Sequence, residues 1–256
     1  MSSAATAVTA PATMQPMANP STNPSSASAS SCPTPSIRDR VLDAATEVLR
    51  VHGPSQIKAR VIAEAVGGST IAIYHHFGGV PELVHAVVAR GFADLLARFR
   101  AAGELAGDPS AELFAMALTA RELAHANAHL YDLMFGLSTR GTYRAVRAEP
   151  ASPGARFREC YDLFIGACQR LIDSGRVQAP GAAMVAAEVA GELWSAVHGF
   201  VTLEAAGHFA EHTDPLQTIL RPLAIRLLIG MGDDPHLVER GAHAALDWSR
   251  GHPTTQ

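Results

Sequence analysis

The sequence predicts an all-α protein built from a small N-terminal helix-turn-helix unit followed by a larger helical bundle. Three observations predict it. From Ser36 onward, apolar residues recur at helical spacing, no convincing strand alternation interrupts them, and Gly, Pro or Asp marks each junction.

Residues 1–35 are mostly Ala, Ser, Thr and Pro with no charge and almost no large apolar side chains, so they cannot bury enough surface to offset the entropy of ordering. They read as a disordered tail, or as the product of a start site placed too far upstream. Ser36, with Asp39 three residues on, is a good N-cap for a helix to about His52, whose apolar side is Ile37, Val41, Ala44, Ala45, Val48 and Leu49. Gly53-Pro54 ends it. A short helix spans about 56–66, Gly67-Gly68 turn the chain, and Ser69 opens a third helix to about His76. Gly78-Gly79 break the chain again, and Pro81 stands in the first turn of a long helix over 81–102. Further helices are expected at about 110–126, 128–138, 153–175, 181–210, 214–231 and 234–249. The domain division expected from this pattern is 36–80 for the small unit, with the motif itself at about 58–77, and 81–250 for the bundle.

The composition narrows the class. The 256 residues are 48% hydrophobic with a formal charge of -4, ordinary for a globular chain. Residues 36–102 carry 8 Lys and Arg against 6 Asp and Glu, and the remainder carries 12 against 18, so the only mildly basic stretch lies near the front. Cys32, Cys160 and Cys168 form no paired framework, which suits a reducing compartment. If helical, Cys160 and Cys168 lie about 12 Å apart along the axis, beyond disulfide reach. No apolar run approaches a membrane span and no signal or transit segment is present, so a cytoplasmic location is expected. Neither Gly-x-Ser-x-Gly, a metalloprotease helix nor a phosphate-binding loop occurs, so no enzyme and no cofactor is expected.

The most informative segment runs from Ile62 to Phe77: a short helix, a glycine turn and a second short helix. Ile62, Ala63 and Val66 offer small apolar surface at the crossing, so the next helix can approach closely. Ser69 leaves the amino end of that helix rich in unpaired N–H groups, suited to a phosphate. This is a DNA reader in outline.

The Ile62-Ala63 pair, Gly67, Ser69, Tyr74-x-His76-Phe77 and Glu82-Leu83 together make 36–98 resemble the DNA-binding domain of the tetracycline-repressor (TetR) family of bacterial regulators. The resemblance implies that Ser69, Thr70, Ile71 and Ala72 begin the recognition helix in the major groove. It places Tyr74, His75 and His76 near phosphates. Lys58, the only lysine of the chain, and Arg60 are the nearest strong cations and would position the domain on the backbone. Two departures from the family pattern lower the expected affinity: Val80 stands where a phosphate-contacting lysine is usual, and Gly68 replaces an apolar turn residue. The resemblance further implies a homodimer on a pseudo-palindromic double-stranded operator, joined through 181–210 and 214–231. Its recognition helices would stand roughly 34–36 Å apart.

Trp194-Ser195-Ala196-Val197-His198-Gly199 is similar to the Trp-x-x-x-His-Gly signature of one group of TetR-type sensor domains, and the segment 126–136 looks like the same group. Met116, Tyr131, Met134, Phe135, Tyr161, Phe164, Trp194 and His198 are the candidate lining of a small-molecule effector pocket, since helical bundles house apolar ligands between their helices. Each is also a plausible core residue. Two other readings stand beside this one. His125 and His129, and again His208 and His212, stand four apart on predicted helices, a spacing that suits a metal-responsive regulator. The other is a ligand-carrying bundle that no longer reads DNA.

Overall fold

The computed structural model describes residues 35–135, 153–178 and 185–252. The tail expected at 1–35, apart from Pro35, therefore lies outside the described residues, as do the expected continuations at 136–138 and 181–184. Everything described is helix, turn or connection.

Helix α1 (Ile37–His52) starts as the sequence predicts: Ser36 Oγ accepts from the Asp39 N–H at 3.1 Å and donates to Asp39 Oδ2 at 2.6 Å. It ends at Gly53, whose φ of 77° lies in the left-handed region. Leu42 joins the expected buried face of α1, because the helix is covered on two sides. A 3-10 turn at Pro54–Gln56 delays α2 (Ala59–Ala65) beyond its expected start. Helix α3 (Thr70–Phe77) follows, and α4 (Val80–Ala102) carries Pro81 in its first turn.

Helix α5 (Pro109–Ala126) is the axis of the bundle. It is buried all round from Pro109 to Ala120, so its sequence shows little amphipathic period. Around it stand α7 (Pro153–Asp173), α8 (Ala186–Ala205) and α10 (Pro235–Gly251), with α6 (Ala128–Phe135) and α9 (Arg221–Gly230) completing the set. Helices α5 and α10 approach closely at Gly241, where a Cβ would collide with Ser110 Oγ and stand 3.0 Å from the Ala111 nitrogen.

The helix expected at 214–231 divides into a π-helical turn, Leu216–Leu220, and α9. Pro222 supplies the reason: without an N–H it cannot continue the ladder backward, and the preceding turn widens. The helix expected to reach 210 ends at Ala205, where Gly207 at φ 81° turns the chain. The described residues from Pro35 onward form one compact unit, because α4 packs against α1 and α3 at one end and against α5 and α7 along its length.

Charged side chains inside the bundle are paired across helices. Glu112, 1% exposed, accepts two bonds from Arg170, and Arg176 binds Asp108, Ser110 and Asp233 together. Such pairs offset their own desolvation through geometry.

Candidate functional site

The α2–α3 unit is set by three small apolar residues and one arginine. Ile62, Ala63 and Val66 are buried at the crossing, where Ile73 of α3 seats with no exposure. Gly67 has φ 62°, and a Cβ there would meet nothing within 4 Å, so backbone conformation rather than space demands glycine. Arg40 of α1 donates to the Val66 carbonyl at 2.6 Å, tying the turn to the helix behind it. Arg38 places its guanidinium 5.0 Å above the Phe77 ring, which packs half-buried against the core.

Seated this way, α3 turns an unusual face outward. Ile71 is 74% exposed and Tyr74 58%, although both are large and apolar in body. Ser69 and His75 are exposed with them, whereas Thr70, Ala72 and His76 are half-buried. Ser69 occupies the N-cap position with extended backbone, but its side chain makes no capping bond, which leaves the N–H groups of the first turn to another acceptor. Lys58 N-caps α2 and lies exposed with its Nζ 3.4 Å from Gln56 Oε1, and Arg60 is exposed on the same helix.

In the bundle, the structure gathers six of the eight expected pocket residues into one ring cluster. Trp194 is at the centre, 5.2 Å from Tyr161, 5.2 Å from Phe164, 6.1 Å from Phe135 and 4.2 Å from His198, centroid to centroid. Tyr131 stacks on His198 and places its Oη 2.5 Å from Nδ1. Phe92 of α4 and Phe157 of α7 extend the cluster, and sequence reasoning missed both. Met134 instead turns its sulfur toward Gly91 of α4, while Met116 is buried in α5. His198 Nε2 has neither solvent nor partner, and burial pushes the ring's pKa down to about 3.

Neither histidine pair shares a helix as expected: His125 is on α5 and His129 on α6, separated by the break at Asn127, and His208 and His212 lie in the turn beyond the end of α8. His125 Nε2 lies 3.0 Å from Glu204, which also takes two bonds from Arg121, and His129 lies against Gly53. Among the described residues, no group of three or more His, Cys, Asp or Glu could hold a metal ion. Cys160 and Cys168 are both buried free thiols. Among the described residues, no helix is long and apolar enough to cross a membrane.

A glycine-turned helix pair in front of a larger helical bundle defines a class, the two-part all-helical proteins with a helix-turn-helix front. Comparisons with known proteins narrow it. Residues 41–87 match the family described as bacterial regulatory proteins, tetR family, and residues 113–224 match the tetracyclin repressor-like C-terminal domain. The two matches together span more than half of the chain, and the chain belongs to the TetR family.

Several solved structures share the fold. A protein of unknown function from Rhodococcus sp. RHA1 is 22% identical with a TM-score of 0.66, covering 80% of this chain and 100% of that one. The fatty acid degradation regulator FadR from Bacillus halodurans is 15% identical with a TM-score of 0.58, covering 77% and 97%. AmtR from Mycobacterium smegmatis is 17% identical with a TM-score of 0.53, covering 84% and 95%. At these identities the likeness shows the fold alone. No curated protein matches by sequence. Regulators of this family bind operator DNA and form dimers, and the chain is a DNA-binding transcription regulator.

Proposed function

We propose that the chain is a dimeric, ligand-relieved repressor whose α3 reads base edges and whose bundle senses a small molecule. The observation that carries the reading is the outward face of α3, where Ile71 and Tyr74 stand exposed beside an amino end with no side-chain cap. Large apolar side chains left in water on a short helix suit contact with thymine methyls and sugar edges. Thr70 and its neighbours read sequence, while Lys58 and Arg60 hold the phosphate backbone with Tyr74, His75 and His76. With Val80 in place of a cation near the phosphates, the salt dependence is shallower by about one ion.

The reader is 36–80 and the sensor 81–250, and the sensor belongs to the Trp-x-x-x-His-Gly group, a reading supported by the contact between Trp194 and His198. Dimerisation runs through α8 and α9, where Leu203 is 43% exposed and Ile229 37%. Helix α6 carries the signal. One of its faces meets the ring cluster through Tyr131 and Phe135, while His129 lies beside Gly53 at the end of α1, and Leu130 and Met134 pack over Gly91 of α4. A ligand that alters the cluster therefore acts on both helices that seat the reader, to the extent of its differential affinity for the two arrangements.

The test is to sequence the DNA fragments that the purified chain retains. Thr70→Ala lowers the specificity of the retained set, and Lys58→Ala weakens all sequences alike. Equal loss of specificity from both substitutions contradicts the division of roles.

A further inference from the structure

We propose that the ring cluster around His198 anchors a neutral, flat, largely aromatic effector through one hydrogen-bond acceptor presented to His198 Nε2. This rests on the reading of the bundle as a sensor and names the chemistry of what it senses.

The first observation is an unmet bond. His198 Nε2 is shut off from solvent with no partner, although the ring's other nitrogen is engaged by Tyr131 Oη at 2.5 Å. A buried polar atom left this way is costly unless something supplies the partner. The second is the tautomer. If Nδ1 carried the hydrogen and donated to Oη, the Tyr131 hydroxyl would be left with a buried hydrogen of its own and no acceptor. With Oη donating to Nδ1, only Nε2 is orphaned, and it carries the hydrogen. Nε2 is therefore a donor that lacks an acceptor.

The third is the company the ring keeps. Its ring neighbours Tyr131, Phe135 and Trp194 are uncharged, and burial keeps the imidazole itself neutral. A carboxylate placed here would be a buried charge without a counter-charge, whereas a ketone, ester or amide oxygen suffers no such penalty. Aromatic faces on several sides favour a flat ring system.

The fourth is adjacent space. A narrow apolar cleft of about 20 Å³, lined by Phe114, Ala117, Phe164, Leu193, Val197 and Leu228, shares Phe164 with the cluster, and Trp194 neighbours both Phe164 and His198. That space holds little more than a water, so the body of the effector enters as the side chains around it part, Trp194 among them, and its acceptor then reaches Nε2.

The probes are 2-acetylnaphthalene and 2-ethylnaphthalene, alike in shape and differing in the ketone oxygen. They are titrated against the full chain carrying Trp248→Phe, so that Trp194 is the only tryptophan whose fluorescence is quenched. The ketone is expected to bind about tenfold more tightly than the hydrocarbon, the worth of one good hydrogen bond. His198→Phe abolishes that preference while keeping the hydrocarbon. Equal binding of the two probes, a preference that survives His198→Phe, or failure of both probes overturns the proposal. Failure of both probes in a chain that still retains DNA leaves the regulator reading standing. A ketone preference in a chain that retains no DNA supports the proposal and removes the regulator reading instead. Nitrogen-15 spectra of the unaltered chain give an independent check: hydrogen on Nε2 and a bare Nδ1 support the proposal, and the opposite tautomer or an imidazolium overturns it.

Discussion

Gly91 and Met134 compete for one space: a Cβ on Gly91 would stand 2.7 Å from Met134 Sδ and 3.2 Å from Leu130 Cδ2. Helix α6 thus rests on α4 at a depth that depends on a missing side chain. Gly91→Ala is expected to be tolerated, because the methionine end can swing aside. Gly91→Val forces the helices apart and lowers stability by about 1–3 kcal/mol, read from the urea midpoint at constant slope.

Arg176 holds two carboxylates. Its Nε lies 2.8 Å from Asp233 Oδ1, and one terminal nitrogen lies 2.6 Å from Asp108 Oδ1, with the Asp233 side chain fully buried. Desolvation pushes the Asp108 pKa up, but Ser110 and Arg176 outweigh it and hold the carboxyl below its usual range. Arg176→Met leaves Asp233 as a buried charge without its cation and is expected to cost about 3–5 kcal/mol in unfolding free energy. Adding Asp233→Asn should return part of that loss, a non-additivity read from the double-mutant cycle.

His198 makes stability fall in acid. Its folded value of about 3 lies below the ordinary 6.5, so the unfolded chain takes up a proton that the folded chain refuses. The contribution is complete above about pH 6.5 and is lost progressively as pH falls toward 3. Between pH 7 and pH 5 the loss from this group alone is about 2 kcal/mol. His198→Phe should flatten that part of the profile, measured by urea unfolding at each pH. Glu204 acts in a lower window. Burial raises its pKa, yet the bonds from Arg121 and His125 lower it below 4.5 overall, so its contribution is held above that value and lost as pH drops further. Glu204→Gln should remove this second decline.

Much of the reader was legible because its signals are local. Ser36 with Asp39, Gly53, Gly67 and Pro81 each act within one turn of helix, and each stands where the sequence placed it. What tied those pieces together was not legible. Arg40 reaches the Val66 carbonyl across 26 residues, and nothing in the spacing of either residue signals it. The bundle was harder for a related reason. Helix α5 is buried on all sides, so periodicity could not assign it a face, and the partnership of Glu112 with Arg170 emerges only once α5 and α7 are packed. Phe92 and Phe157 escaped the expected pocket set in the same way, whereas Trp194 and His198 were found because they carry the Trp-x-x-x-His-Gly resemblance.

The seat of α3 depends on Arg40. Arg40→Met removes the bond to Val66 and leaves that carbonyl without its side-chain partner, an expected loss of about 1–3 kcal/mol. Because the turn would loosen before the bundle does, DNA retention should fall at temperatures where the helical signal of the whole chain is unchanged, compared by parallel melting and retention curves.

The most direct measurement is sedimentation of the purified chain with the duplex it selects, at low ionic strength. The expected result is two chains on one duplex whose half-sites lie about one helical turn apart, with binding that weakens as salt is added. A chain that stays monomeric and sediments apart from every duplex offered would contradict α3 as a reader of DNA.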